Sequence, residues 1–317
     1  MNLPDNNLLD AVDARTKLAG SNNMEILLFS LGTHETFGIN VFKVREVSTT
    51  PKITKAPNMP PGVEGLISLR GNVIPVLSLA RSMGLADAPA GLGNAMMVTE
   101  YSKRTLGFLV SAVDRIIRVE WDKVRAPESI NGGNVNNNFI TAITELPNGK
   151  LVSILDVEQI LSNTFGEPPV GDLQRLDDDA EYNVFFVDDS VVARKKIAEV
   201  LDKLGVRHKH AVNGMEAWTR LSGMAAHAQQ AKVNLRDEVQ LILVDAEMPE
   251  MDGYVLTKHI KNDPRFKGIP VVMHSSLSSE ANRAMGKSVG VDAYVSKFDA
   301  EILADTVRPL LLNPPRD

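Results

Sequence analysis

Apolar and polar positions follow two different rhythms along the chain. From residue 24 to 165 the apolar residues come in short runs, broken every few positions by Gly or Pro. Met24–Leu31 and Thr36–Ile39 flank the turn Gly32-Thr33-His34. Further β-rich runs fall at Leu66–Leu69, Val73–Leu77, Ala95–Thr99, Thr105–Val113, Ile116–Trp121, Phe139–Thr144 and Leu151–Leu155. Many short strands with such turns predict a barrel or sandwich, and short helices are expected at Leu79–Met83 and Asp156–Asn163. From residue 182 strands are expected at Val184–Val187, Val206–Val212, Leu241–Val244, Val271–His274 and Ala293–Ser296. Val184–Val187 and Leu241–Val244 are continuous apolar runs of the kind buried on both faces of a parallel sheet. Between the strands helical spacing takes over. Val192, Ile197, Val200, Leu201 and Leu204 share one face of Val191–Leu204, which Gly205 stops. Further helices are predicted from Gly214 (prolonged into Gly223–Glu238, then a loop), over Gly253–Asn262, near Ser279–Val289 and over Ala300–Leu311. Five strands alternating with five helices predict a doubly wound parallel sheet.

Two segments stand outside these rhythms. Residues 1–23 are largely polar, with one amphipathic patch at Leu8, Leu9, Val12 and Ala19 whose spacing predicts a helix over about Leu8–Leu18. Residues 166–181 are rich in Pro, Gly and acids and predict an extended, solvated linker. The expected organisation is therefore an N-terminal extension at 1–23, a β domain at 24–165, a linker at 166–181 and an α/β domain at 182–317. The Asn-rich run 131–138 is expected as a flexible loop.

Composition narrows the chemistry. The chain has 317 residues, 44% hydrophobic and 23% charged, as a two-domain globular protein would. No apolar stretch approaches the ~20 residues that span a bilayer, and the first residues lack the basic start and apolar core of a leader. A cytoplasmic location without direct membrane insertion is expected. The absence of cysteine removes disulfides, thiolate metal sites and Cys nucleophiles, and it fits a reducing compartment. The net charge of -6 is spread over both halves, so neither has the basic excess that nucleic acid requires.

The candidate chemistry sits at predicted strand ends. Leu241–Val244 runs into Asp245, and Val184–Val187 runs into Asp188-Asp189-Ser190. Open α/β sheets place their sites at the carboxyl ends of strands. Three carboxylates there repel one another unless a cation joins them. Mg²⁺ suits such a pocket because it accepts carboxylate and phosphate oxygens. Two more predicted strands end in Ser275 and Lys297, a hydroxyl and a cation that complete a site for a phosphoryl group. Singly, Asp188, Asp189 or Ser190 could cap the next helix, Ser275 a turn, and Lys297 could be a solvated strand end.

Together these residues resemble the receiver domain of bacterial two-component signalling. The resemblance implies that Asp245 is the phosphoacceptor. It implies that Asp189, Asp245 and the main-chain carbonyl of Glu247 bind Mg²⁺ directly, with Asp188 acting through water. Ser275 and Lys297 would hold the phosphoryl oxygens, and Tyr294 would be the aromatic switch. Phe298 stands where receivers usually have Pro, which removes a cis X-Pro bond. The earlier half resembles the CheW-type coupling domain, a pair of small β-barrels. The likeness rests on Gly38-Ile39, Val44-Arg45-Glu46-Val47 and Leu69-Arg70-Gly71, with Ser68 replacing a common Asn. It implies that Val44, Glu46 and Arg70 lie on partner-binding surfaces; alone, Arg70 reads as an ordinary strand-end Arg.

A CheW-like domain followed by a flavodoxin-like receiver with strand order 2-1-3-4-5 resembles the CheV family of chemotaxis coupling proteins. That implies an adaptor, not an enzyme, bridging methyl-accepting chemoreceptors and a CheA-type histidine kinase at receptor arrays on the inner face of the membrane. It would be regulated by Mg²⁺-dependent phosphorylation of Asp245. Two alternatives stay open: a phosphate sink that drains the kinase, and an aspartyl-phosphate phosphatase using Glu247 as acid/base.

Overall fold

The computed structural model describes residues 23–85, 95–101, 104–125, 139–166, 169–176, 180–276, 280–297 and 299–313. The expected N-terminal helix, the Asn-rich loop and Phe298 lie outside them. The chain divides into two compact units, one built on Met24–Pro169 and the other on Val170–Asp189 and Ala193–Asp317.

The first unit holds two five-stranded sheets where a pair of small barrels is expected. Its strands are β1 (Asn23–Ser30), β2 (Thr36–Asn40), β3 (Val44–Thr49), β4 (Val63–Leu69), β5 (Asn72–Ser78), β6 (Ala95–Tyr101), β7 (Arg104–Val110), β8 (Ala112–Glu120), β9 (Ile140–Glu145) and β10 (Leu151–Leu155). Two short helices, α1 (Leu79–Ser82) and α2 (Val157–Phe165), follow β5 and β10. One sheet runs β8-β1-β2-β10-β9 and the other β3-β6-β7-β5-β4. Successive side chains of a strand point to opposite faces, so a continuous apolar run needs two cores. In β1, Leu27 and Phe29 enter one cluster with Phe37, Ile39, Leu77 and Phe108. Ile26 and Leu28 enter another with Trp121, Val152 and Ile154. Two details differ from the expectation. The Thr105–Val113 run is cut at Ser111, whose amide donates to the Ser30 carbonyl at 2.9 Å. Strand β3 is an addition: its residues are mixed in polarity, and a bulge between Val44 and Glu46 breaks the alternation that would reveal it.

The second unit alternates strand and helix. Its elements are β11 (Asn183–Val187), α3 (Val191–Leu204), β12 (Arg207–Ala211), α4 (Gly214–Ala231), α5 (Leu235–Glu238), β13 (Leu241–Val244), α6 (Gly253–Asn262), β14 (Val271–Ser275), α7 (Glu280–Val289), β15 (Ala293–Ser296) and α8 (Ala300–Leu312). The sheet order is β12-β11-β13-β14-β15, all parallel, so the 2-1-3-4-5 order and the flavodoxin-like class hold. Every residue of β13 is buried. Leu241 and Leu243 face α3 and α8 in one cluster, while Ile242 and Val244 face α4 and α6 in the other. Trp218 of α4 sits on the second side, its ring 5.2 Å from His259 and 6.1 Å from Phe266. The short helix α5 replaces part of the loop expected before β13.

Within the segment read as a solvated linker, residues 170–176 are packed instead. Val170 and Leu176 are buried in the cluster formed with α3 and α8. The Leu176 amide donates to the Leu204 carbonyl at 2.9 Å, Lys203 Nζ donates to the carbonyls of Val170 and Gly171, and Arg308 donates to those of Gln174 and Arg175. The physical reason is local: Val170, Leu173 and Leu176 recur at i, i+3 and i+6 within a polar background and supply enough apolar surface to dock. Among the described residues, no helix is long and apolar enough to cross a membrane.

Candidate functional site

The parallel ladder fixes the acids. Val187 lies opposite Val244, so Asp188 and Asp245 leave neighbouring strands side by side. The Asp245 amide donates to the Val187 carbonyl at 3.0 Å, and the Lys297 amide donates to the Ser275 carbonyl at 2.9 Å. Behind Asp245 the chain turns back through Gly253, where α6 begins. A Cβ at Gly253 would lie 1.9 Å from the Asp245 carbonyl oxygen, so only glycine permits this close return. Asp252 caps α6, accepting from the Val255 amide at 2.7 Å.

Asp188, Asp189 and Asp245 offer carboxylate oxygens that all lie within 4.8 Å of one another. Lys297 Nζ stands 2.8 Å from Asp245 Oδ2 and 3.0 Å from Asp188 Oδ2. Asp188, Asp245 and Lys297 are almost wholly buried, and Ser275 is fully so. One ammonium among three carboxylates leaves an excess of negative charge in a place where unpaired charge is costly. The donor set, all hard oxygen, fits a divalent cation of the Mg²⁺ type.

Tyr294 lies half-buried beside this pocket. Burial pushes its hydroxyl up to about 12, while hydrogen bonding from Ser275 and Tyr254 pulls the other way. It packs against the buried cluster of Ala246, Tyr254 and Met273, with the Arg283 guanidinium over its ring at 5.4 Å from the centroid. The Glu247 carboxylate is buried and acts on both Tyr254 and Tyr294, raising each. It does not belong to the three-carboxylate cluster; the expectation for Glu247 concerned its main-chain carbonyl.

Sequence reasoning missed two residues here. Tyr254, one position into α6, is buried with its hydroxyl pushed up by burial and by Tyr294. Arg194, one turn into α3, donates from Nη1 to the carbonyls of Asp188 at 2.7 Å and Asp189 at 2.8 Å. The available signal was an arginine one helical turn beyond an acid pair.

In the first unit, Arg70 and Gly71 form the two-residue turn between β4 and β5, with Leu69 opposite Asn72. Their φ values, 51° and 85°, are both positive, as the tight hairpin turn demands. The Arg70 side chain is 78% exposed and pairs with Glu46 of β3. Val44 requires a correction. It is only 6% exposed and packs in the core with Phe37, Ile39 and Phe108, because the first residue of β3 points inward. Its side chain is not presented on the surface of the unit.

Comparison with known proteins follows the two-unit division. The CheW-like domain model matches residues 25–165, and the response regulator receiver domain model matches residues 184–308. Chemotaxis protein CheV3 of Helicobacter pylori is 33% identical over 278 residues, covering 87% of this chain and 88% of its own length. The chain belongs to the CheV family. CheV1 of the same organism is 28% identical over 325 residues, covering 96% of this CheV-family chain and 98% of its own length. Among solved structures, the scaffolding protein CheW of Thermoanaerobacter tengcongensis is 27% identical with a TM-score of 0.40, covering 45% of this chain and 90% of that one. CheV membership accounts for both units: a CheW-like one without an acidic cluster among its described residues, and a receiver with one.

Proposed function

We propose that this CheV-family protein is a chemotaxis adaptor that couples chemoreceptors to a CheA-type histidine kinase and is regulated by a phosphoryl group on Asp245. The observation that carries the reading is the buried Asp245 carboxylate, grouped with Asp188 and Asp189 and held by Lys297 at 2.8 Å. In the transfer, an Asp245 oxygen bonds to phosphorus, the P–N bond of the kinase's phosphohistidine breaks, and the imidazole leaves with the bond's electron pair. Asp188, Asp189, Asp245 and the Glu247 carbonyl would hold Mg²⁺, which when bound supplies positive charge to the phosphoryl oxygens. Lys297 would turn from Asp188 towards a phosphoryl oxygen, and Ser275 would donate its hydroxyl to another. That withdraws the Ser275 hydroxyl from Tyr294, so Tyr294 is the residue through which the change reaches α7. Phosphoryl transfer needs little from the protein beyond positioning and charge, and the proposal assigns no turnover to the chain.

The other half of the function falls to the first unit. Arg70 and Glu46 would form part of its partner surface, which would recruit the protein to receptor arrays at the inner face of the membrane. Residues 24–165 act as the coupling domain and 182–317 as the receiver, with 170–176 travelling with the receiver. The test is incubation with acetyl phosphate or phosphorylated kinase in the presence of Mg²⁺. Wild type takes label, and Asp245→Asn does not. Label on Asp245→Asn at the wild-type level sinks the proposal. In a receptor–kinase coupling assay Asp245→Asn changes receptor control; unchanged control with slower signal termination makes the receiver a phosphate sink.

A further inference from the structure

We propose that Arg194 is a positioning residue that holds the Asp188–Asp189 pair in metal-binding register from behind, through their main-chain carbonyls. The inference rests on the reading of Asp188, Asp189 and Asp245 as the Mg²⁺ site. Asp188 and Asp189 sit in the turn between Val187, the last residue of β11, and Val191, the first of α3. The Asp188 amide is tied to the Ala211 carbonyl at 3.4 Å, and two of the turn's side chains carry like charge and face the same pocket. Arg194 Nη1 has two N–H bonds, and the two carbonyls lie at 2.7 and 2.8 Å from it. One nitrogen thus fixes two consecutive peptide planes, and with them the direction in which both side chains leave the backbone.

Charge acts in the same sense. Lys297 lies on one side of the carboxylates, and the Arg194 guanidinium lies behind two of them. Lys297 touches Asp188 and Asp245, whereas Arg194 reaches the backbone of Asp188 and Asp189. The two cations divide the labour: Lys297 is available to the phosphoryl group, and Arg194 stays with the acid pair. Partners that orient metal ligands from outside the site typically change metal affinity by roughly 10- to 100-fold when removed.

The experiment is a calorimetric titration of the full chain with Mg²⁺, comparing wild type with Arg194→Met, Arg194→Lys and Arg220→Met. Arg220 is a control that donates to a carbonyl elsewhere, that of His210. Arg194→Met is expected to weaken Mg²⁺ binding by roughly 10- to 100-fold. Arg194→Lys, which keeps the charge but loses the planar fork, falls between, and Arg220→Met binds as wild type. Labelling of Arg194→Met by acetyl phosphate recovers at saturating Mg²⁺, because Asp245, Lys297 and Ser275 are untouched. If wild type binds Mg²⁺ and both Arg194 variants bind it equally tightly, this inference is overturned and the acceptor-site reading stands. If wild type takes up no Mg²⁺, the acceptor-site reading falls and takes this inference with it. Should Arg194→Met fail to fold, Arg194→Lys carries the same comparison. A loss of urea stability without metal, combined with unchanged Mg²⁺ affinity, assigns Arg194 a purely structural role and also overturns the inference.

Discussion

Asp245 and Asp252 bound the same loop, and their surroundings treat them differently. Asp245 has the Lys297 ammonium at 2.8 Å. Asp252 has the amides at the start of α6, but burial outweighs them and holds its carboxyl above the ordinary 3.8. The native state therefore binds that proton more tightly than the unfolded chain does. Ionised Asp252 subtracts stability at neutral pH, and the loss is recovered as pH falls through the raised value towards 3.8. Asparagine keeps the capping oxygen and drops the charge. Asp252→Asn should be more stable than wild type at neutral pH, by about 1.4 kcal/mol for each pKa unit of the shift, with the gap closing in acid. Urea unfolding across a pH series measures it, and a gap that widens in acid refutes the account. At this scale the strand-end acids, Ser275 and Lys297 were legible, because short apolar runs announce where each strand stops. Arg194 was not, because its targets are backbone carbonyls, which carry no side-chain signature. Val44 was misplaced because a bulge, invisible in the residue types, turns it inward.

Among the elements, the β4–β5 hairpin shows a conflict between conformation and use. Arg70 holds φ of 51°, a region that costs a side-chain-bearing residue roughly 1–2 kcal/mol. Its pair with Glu46 is exposed and contributes little in return. That cost is the reason we assign Arg70 to the proposed partner surface. Arg70→Gly should leave the unit as stable or more stable, by up to about 1 kcal/mol, while weakening capture of the protein by receptor–kinase complexes in co-sedimentation. A variant that loses stability and retains capture contradicts the partner-surface reading. The hairpin was easy to find, since Leu69-Arg70-Gly71-Asn72 joins two β-rich runs. Strand β3, which carries Glu46, was hidden by its mixed polarity.

For the whole molecule, the two-part organisation was plain from the change of hydrophobic rhythm near residue 182, but the beginning of the second unit was not. Val170, Leu173 and Leu176 are diluted by Pro, Gly and Asp, and a composition argument averages them away. Docked against α3 and α8, they tie residues 170–176 to the receiver's core. Leu176→Ala in the full chain should lower the receiver's unfolding free energy by about 2–5 kcal/mol and leave the β unit's transition unmoved. If 170–176 is only a tether, both transitions stay where they are.

The chain has two tryptophans, and the fold gives one to each unit: Trp121 in a β-unit core and Trp218 between His259 and Phe266. Each half therefore carries its own native fluorophore, and Trp121→Phe and Trp218→Phe separate their emission without any added dye. A ligand at the Asp188, Asp189 and Asp245 cluster that shifts only the Trp218 melting curve acts on one half alone. The extent to which the Trp121 curve moves with it is a direct reading of the coupling free energy between the halves.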